Sequence, residues 1–319
     1  MENVPLVVVL SSFMDETTAM ADLILPTDNY LEAWGDDVPE PGVGFSVASI
    51  SQPTVSRLYN TRSLGDILID TAKTMGIEVN WDSTEAYIQD VWSRIYVQQG
   101  GDPSGFDDFW RSALEAGVWG QESTSTDQEL TVKPFPIDQL TNVSNKLEGN
   151  ESEYPFVLHP YLTLTFLDGR GANLPWQQEL PDPLTSVVYN SWIELNPSTA
   201  ARLDVKEGDV LEVTSPSGTM QVPAFIYEAI RPDVVAMPIG QGHEQYGRYA
   251  KQRGVNPIDL VVPNFDQRSG ALAWAGTRVK ILKTGERVML IKTDGITRTL
   301  GRQILGPSEV EHSSEAEHS

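Results

Sequence analysis

NPSTAARLDVKEGDVLEVTSPSGTMQVPAFI, Asn196 to Ile226, is the stretch whose reading decides the fold. Asn196 followed by Pro197 is an N-cap with a first-turn proline, which opens a short helix through Ser198 to Leu203. Lys206-Glu207-Gly208-Asp209 is a tight turn, and Val210 to Thr214 is an apolar strand. Pro216-Ser217-Gly218 turns the chain into a second strand, where Met220, Val222, Ala224 and Ile226 alternate with period two. Just upstream, Val187 to Leu195 reads as a strand, and downstream Asp233 to Met237 reads as another. A helix and a Gly-Asp turn between short strands form the local pattern of a double-psi β-barrel.

Towards the N-terminus the pattern changes. Pro5 to Leu10 is a continuous apolar run rich in β-branched residues, as a buried parallel strand shows. Ser11 to Thr18 is a loop, and Ala19 to Leu25 reads as a short helix and strand ending at Pro26. Beginning at a buried strand, the chain reads as part of a larger unit. Three amphipathic helices follow. Leu64, Ile67, Leu68, Thr71 and Met75 form the stripe of the first, which stops at Gly76. Ile88, Val91, Trp92 and Ile95 form the second, with Asp82 and Glu85 as an acidic capping box. Phe106, Phe109, Trp110, Ala113 and Leu114 form the third, before Gly117. The aromatic positions read as core.

Periodicity fades between Gly120 and Glu153, which places a boundary there. The fold class expected is α/β, part of a nucleotide-binding parallel-sheet domain, followed by a mostly-β double-psi barrel domain. The divisions are 1–120 for the α/β part, 121–153 for a linker, 154–285 for the barrel, and 286–319 for an extension with an acidic tail.

The 319 residues carry a net charge of −23, which argues against binding a phosphate backbone and otherwise favours solubility. Nucleic acid is therefore not an expected partner. Zero Cys excludes disulfides, thiolate metal sites and cysteine-ligated clusters within these residues. No run is long and apolar enough for a transmembrane helix, and Glu2 stands where a signal peptide needs basic residues. His312 and His318 lie in the acidic tail and read as solvated.

Two groups of residues carry a family resemblance. SSFMDETT at Ser11–Thr18, ADLILP at Ala21–Pro26 and EAWG at Glu32–Gly35 resemble a segment of the molybdopterin oxidoreductases, in which a threonine-bearing loop precedes an "ADxxLP" strand. The barrel from Tyr154 onward is similar to the molybdopterin dinucleotide-binding domain of those enzymes. More narrowly, DGRGANLPWQQELPDP at Asp168–Pro183, GQGHEQYGRYA at Gly240–Ala250 and RGVNP at Arg253–Pro257 resemble the large iron-sulfur/molybdopterin-like subunit of alternative complex III and polysulfide-reductase-like proteins.

The resemblance implies molybdopterin guanine dinucleotide as cofactor, although the alternative complex III relatives are regarded as keeping the fold without it. It implies a respiratory electron-transport complex, peripheral on the membrane and on its periplasmic face. The implied partners are the N-terminal half of the subunit, as a separate chain or missing segment, and iron-sulfur, cytochrome c and quinol-interacting membrane subunits. In the family the molybdenum ligand and cluster cysteines lie N-terminal to the matched region, so the chain alone is expected to be structural. One alternative is the cofactor-binding half of an active polysulfide, thiosulfate or formate oxidoreductase. Another is a stand-alone acidic binding module.

Pterin and nucleotide rings are held by amides, hydroxyls and backbone N–H groups. The candidates are Ser11, Ser12 and Thr17 at the strand end, Asn173, Gln177, Gln241 and Asn256 as amides, Gly240 and Gly242 for close approach, and His243 as a donor. Arg170, Arg248 and Arg253 suit either a pyrophosphate or the abundant carboxylates. Loops 168–183 and 240–256 are expected to share one rim of the barrel, with Trp176 an interface anchor and Trp192 a folding residue. Elemental analysis of the purified chain should find no stoichiometric molybdenum, iron or zinc; one such metal per chain would contradict the reading.

Overall fold

The computed structural model describes Met1 and residues 3–39, 45–121, 134, 147–266 and 269–293. The acidic tail and most of the expected linker lie outside the described residues. The chain divides into two units, Met1–Lys146 with His243–Lys251, and Leu147–Gly242 with Gln252–Ser319.

In the first unit, β1 (Val8–Ser11) pairs in parallel with β2 (Leu23–Pro26), from Val8↔Leu23 to Ser11↔Pro26. A 3-10 turn at Thr18–Met20 joins them. Strands β3 (Gly35–Asp37), β4 (Ser46–Ser51) and β5 (Val118–Gln121) form an antiparallel sheet in that order. Against it pack α2 (Thr84–Gln98) and α3 (Phe106–Ala116), burying Ala48, Ile50, Ile88, Trp92, Trp110 and Ala113. Trp34 stacks on Trp110, and the Trp92 indole N–H donates to Asp36 at 3.1 Å, so the ring is buried with its donor satisfied. Gly117 ends α3 at φ +70°, where a left-handed residue lets its N–H reach the Ala113 carbonyl.

Two local expectations fail here. Asp82 is not the cap of α2: Ser83 is, accepting from the Ala86 N–H at 3.2 Å, while Asp82 pairs with Lys73. A serine one residue nearer the helix places its oxygen over the orphan N–H without desolvating a charge. The stripe of α1 (Leu64–Thr74) is not core either. Leu64, Leu68 and Met75 are exposed, whereas Ile69 is buried.

The second unit is a closed barrel of six strands in the order β10-β6-β11-β8-β9-β7. These are β6 (Phe156–Tyr161), β7 (Ile193–Leu195), β8 (Asp209–Thr214), β9 (Thr219–Ile226), β10 (Val234–Pro238) and β11 (Arg278–Arg287). The pairs β6–β10 and β7–β9 are parallel, and the other four pairs of the barrel are antiparallel. Phe156, Leu158, Ile193, Leu195, Leu211, Val213, Val222, Ala224, Val235 and Met237 fill the interior. The helix α5 (Pro197–Arg202) starts where expected, Asn196 Oδ1 accepting from the Ser198 N–H at 2.9 Å. The Lys206–Asp209 turn closes with Asp209 Oδ2 accepting from the Lys206 N–H at 2.8 Å.

The strand expected over Val187 to Leu195 shrinks to Ile193–Leu195, because Val187 and Val188 leave the barrel to pair with 291–292. Trp192 and Val187 pack with Phe225 and Leu290 on the outer wall. Glu194 is buried beside them, its Oε1 accepting from the Tyr161 hydroxyl at 2.6 Å and the Trp192 indole at 3.2 Å. Burial pushes the Glu194 carboxyl upward against those two hydrogen bonds. Trp192 is 4% exposed and Trp176 67% exposed. Urea unfolding should therefore show Trp192→Ala losing about 3–5 kcal/mol and Trp176→Ala staying within about 0.5 kcal/mol.

Candidate functional site

In the barrel unit the site begins at the ends of two neighbouring parallel strands. Tyr161 of β6 and Pro238 of β10 are register partners, and the Ile239 N–H donates to the Tyr161 carbonyl at 2.9 Å. The segments that follow, 162–178 and 239–242, therefore leave the barrel side by side.

The first segment folds through consecutive turns, with the Leu167 N–H on the Thr163 carbonyl and the Gly169 N–H on the Phe166 carbonyl. Arg170 pairs with Asp168 through two nitrogens at 2.9 and 2.7 Å. Its guanidinium holds the Asp168 carboxyl down to about 2. Arg170 thus takes a carboxylate, one of the two roles open to it from sequence. Helix α4 (Pro175–Glu179) then carries Gln177 and Gln178.

Gln178 ties the two segments together. Its Nε2 donates to the Ala172 carbonyl at 2.8 Å and to Gln241 Oε1 at 3.1 Å, and Gln241 Nε2 returns a bond to Gln178 Oε1 at 2.8 Å. Both amides are buried, so each satisfies the other where water does not reach. Gly242, at φ +88°, lets the backbone turn against Val255 and Asn256, which a Cβ would strike. Its N–H donates to the Arg253 carbonyl at 2.7 Å. Ser191 holds the same strip, its Oγ accepting from the Val255 N–H at 3.0 Å and donating to the Val255 carbonyl at 3.2 Å. The space beside Gly240 is filled by Phe166. Both glycines are thus required by the chain's own packing.

Among the amide candidates, Gln241 is committed to Gln178, and Asn256 Oδ1 accepts from the Ile258 N–H at 3.2 Å. Gln177 donates to the Thr165 carbonyl at 2.9 Å, but its Oε1 is buried with no hydrogen-bond partner. Asn173 is buried, and its amide makes no hydrogen bond among the described residues. Gln177 and Asn173 are therefore the groups with unused capacity. The Gln177 Oε1 lies against Gly171, where a Cβ would strike it.

The remaining candidates lie in the first unit. Within the expected loop 240–256, His243–Lys251 is grouped with this unit. The cause is Glu16. Its Oε1 accepts from the Glu244 N–H at 2.8 Å and the Gln245 N–H at 3.0 Å, and its Oε2 lies 3.2 Å from His243 Nδ1. The Tyr246 N–H donates to the Met14 carbonyl at 2.6 Å, and the Phe13 and Tyr246 rings meet edge-on. Ser11 Oγ donates to the Phe13 carbonyl, and Ser12 Oγ meets Thr27, so both hydroxyls shape the loop. Thr17 caps the 3-10 turn without a side-chain bond, and the neighbouring Thr18 Oγ1 is buried and unpaired.

Glu16 and Gln178 escaped the sequence reading because their partners lie 227 and 63 residues away. Glu16 stood within the motif at Ser11–Thr18, the one signal that pointed to it. Among the described residues, no group of three or more His, Cys, Asp or Glu is placed to hold a metal, and no helix is long and apolar enough to cross a membrane.

Residues 176–276 match the family model of the molybdopterin dinucleotide binding domain. Over 88% of its length the chain is 27% identical to the menaquinone reductase molybdopterin-binding-like subunit of Nitratidesulfovibrio vulgaris, covering 38% of that protein. Over 86% of its length it is 26% identical to the arsenate respiratory reductase molybdopterin-containing subunit of Shewanella sp. ANA-3, covering 41%. Acetylene hydratase from Pelobacter acetylenicus shares the fold with a TM-score of 0.64 at 17% identity, over 88% of this chain and 41% of that one. The chain thus spans about two-fifths of the length of the relatives it matches.

Glu16 also supplies a pH dependence. Burial pushes its carboxyl up, but the Gln245 and Glu244 N–H groups and His243 outweigh burial and bring it from 4.5 to about 2. A depressed carboxyl stabilises the fold above its unfolded value and loses that contribution as pH falls through the folded one. The stability advantage of wild type over Glu16→Gln, followed by urea unfolding, should therefore shrink between pH 4.5 and about 2. A gap that stays constant across this window would contradict it.

Proposed function

Because the chain belongs to the molybdopterin oxidoreductases, we propose that it is the cofactor-envelope portion of a large subunit in a membrane-associated, quinol-oxidising electron-transfer complex of the alternative complex III kind. In this reading it is structural and holds no redox metal of its own. It sits peripherally on the periplasmic face, with iron-sulfur, cytochrome c and quinol-interacting subunits as partners.

The observation that carries the reading is the surface of the first unit. A two-stranded parallel sheet is too small to bury itself, because parallel sheets need cover on both faces. Leu6, Val8, Leu23 and Ile24 on or beside its strands are exposed, and so are Leu64 and Leu68 of α1 and Met75 at its C-terminal cap. Between α1 and β2 runs a groove of about 490 Å³ lined by Leu25, Pro26, Ile67, Thr71 and Met75. These surfaces suit a further segment, of the kind that makes the relatives longer than this chain and that this reading puts N-terminal to it. In the barrel unit, Leu164, Trp176 and Leu184 stand exposed and serve as anchors for the same assembly.

A second reading, the cofactor-binding half of an active molybdopterin guanine dinucleotide enzyme, is favoured by the unpaired Gln177 Oε1, for which a purely structural envelope gives no reason. Gln177 and Asn173 would hold the ring edge, within loops that Gln178, Gln241, Gly240, Gly242 and Asn256 keep in place. Bound there, the pterin dithiolene supplies the ligand for a metal that exchanges electrons. This chain's own part is to bind and orient the ring and to exclude water from it.

Molybdenum and guanine nucleotide measured per chain in the purified complex decide between the two. The structural reading expects neither; the second expects both in equal amounts. If cofactor is present, the double variant Asn173→Ala, Gln177→Ala should lower retained pterin by about tenfold or more, the equivalent of one or two lost hydrogen bonds.

A further inference from the structure

Glu16 does more than fasten a segment. Its two carboxylate oxygens are divided, Oε1 taking the Glu244 and Gln245 N–H groups and Oε2 facing His243 Nδ1 at 3.2 Å. An ionised carboxylate only accepts, so the nitrogen facing it must carry a proton. When the imidazole is neutral, the other nitrogen is then a bare acceptor. His243 is 22% exposed in its side chain, and its Nε2 has no hydrogen bond among the described residues. The Tyr246 ring, centred 5.0 Å from the imidazole, limits how the ring can turn.

We infer that Glu16 is a positioning residue that fixes His243 as its Nδ1-protonated tautomer, so that Nε2 is offered as a hydrogen-bond acceptor to a ring N–H of a heterocyclic ligand. This deepens the cofactor-binding reading above and rests on it for the identity of the ligand. It also reverses the polarity expected from sequence, where His243 was a donor to a pterin or phosphate. A neutral Nε2 repels phosphate oxygens and selects N–H donors. The chain therefore recognises the ring portion of a dinucleotide at this position, not its pyrophosphate.

The carboxylate at position 16 has one conservative replacement that reverses the imidazole and leaves the rest in place. In Glu16→Gln the amide oxygen must stay on the two backbone N–H groups, since an amide nitrogen there would set donors against donors. The amide nitrogen then occupies the place of Oε2 and donates to Nδ1, which forces the proton onto Nε2. A purely mechanical clasp would be kept by this variant, with no change in the imidazole.

The test is a long-range nitrogen–proton correlation spectrum of the full chain labelled with 15N-histidine, at about pH 8. The chain has four histidines, and the signal lost in His243→Asn identifies this one. The expected result is a protonated Nδ1 and bare Nε2 in wild type, and the opposite pattern in Glu16→Gln. The same tautomer in both proteins, or a protonated Nε2 in wild type, overturns the inference. Adding free pterin, and separately inorganic phosphate, should move the wild-type Nε2 resonance with pterin alone. A swapped tautomer with no response to pterin upholds the positioning role and removes the cofactor-binding reading. A response to phosphate in preference to pterin overturns the acceptor assignment.

Discussion

The parallel pairing of β6 with β10 is the constraint on which the barrel unit depends. Five successive partners, from Val157↔Val234 to Tyr161↔Pro238, bring two segments more than seventy residues apart in sequence out at the same level. From that point the loops have little freedom. Gln178 and Gln241 are placed to exchange hydrogen bonds because their strands end together. A slip of one residue would turn Leu158 and Val235 out of the core and leave both amides buried without partners. Core packing and loop geometry thus select the same register.

Closure is thinner elsewhere. Strand β7 has three residues and meets β10 through the single pair Ala236↔Glu194. The side that faces outward at that pair is a carboxyl, which burial disfavours in its charged form. Tyr161 and Trp192 supply the two donors that make the position tolerable. Since Tyr161 is also the last residue of β6, the weakest seam of the barrel and the start of the first site loop share one hydroxyl. Replacing Glu194 alone by an apolar residue would leave the Tyr161 hydroxyl and the Trp192 N–H without their acceptor, so the three groups hold the position together. The same hydrogen bond holds the end of β6, where the 162–178 loop departs.

What was legible in the sequence was local or periodic. The alternation from Met220 to Ile226, the Asn196 cap, the Gly208-Asp209 turn and the helices ending at Gly76 and Gly117 all follow from chemistry within a few residues, and all appear in the fold. The failures have the same physical origin. The α1 stripe was recognised as apolar, but a sequence pattern does not say what covers it, and in this chain Leu64, Leu68 and Met75 lie open. Asp82 and Ser83 are both good caps, and the choice fell to which oxygen could reach an N–H without losing Lys73. Val187 and Val188 have strand-like side chains, yet a competing edge at 291–292 takes them from β7. Of the site residues, the amides of Gln177 and Asn173 kept free capacity, whereas Gln241 was drawn into a pair whose other member, Gln178, only the fold reveals.

The same accounting says how selective such a site can be. Glycine- and amide-rich loops suggest many ligand contacts, but most of their hydrogen-bonding groups are consumed in holding the loops: Gln178 and Gln241 by each other, Asn256 by Ile258, Gly242 by Arg253, Ser191 by Val255. A loop that spent fewer groups on itself would offer more to a ligand but would pay for their ordering at the moment of binding. Here the ordering is complete beforehand, and the residual capacity is concentrated in Asn173 and the unpaired Gln177 Oε1. Leaving a buried acceptor unpaired costs about 1–3 kcal/mol. A donor that met it would recover most of that energy, whereas a ligand lacking the donor would recover none. In the cofactor-binding reading, selectivity in the barrel unit would accordingly rest on one or two groups held rigidly, with the many supporting residues acting only through them.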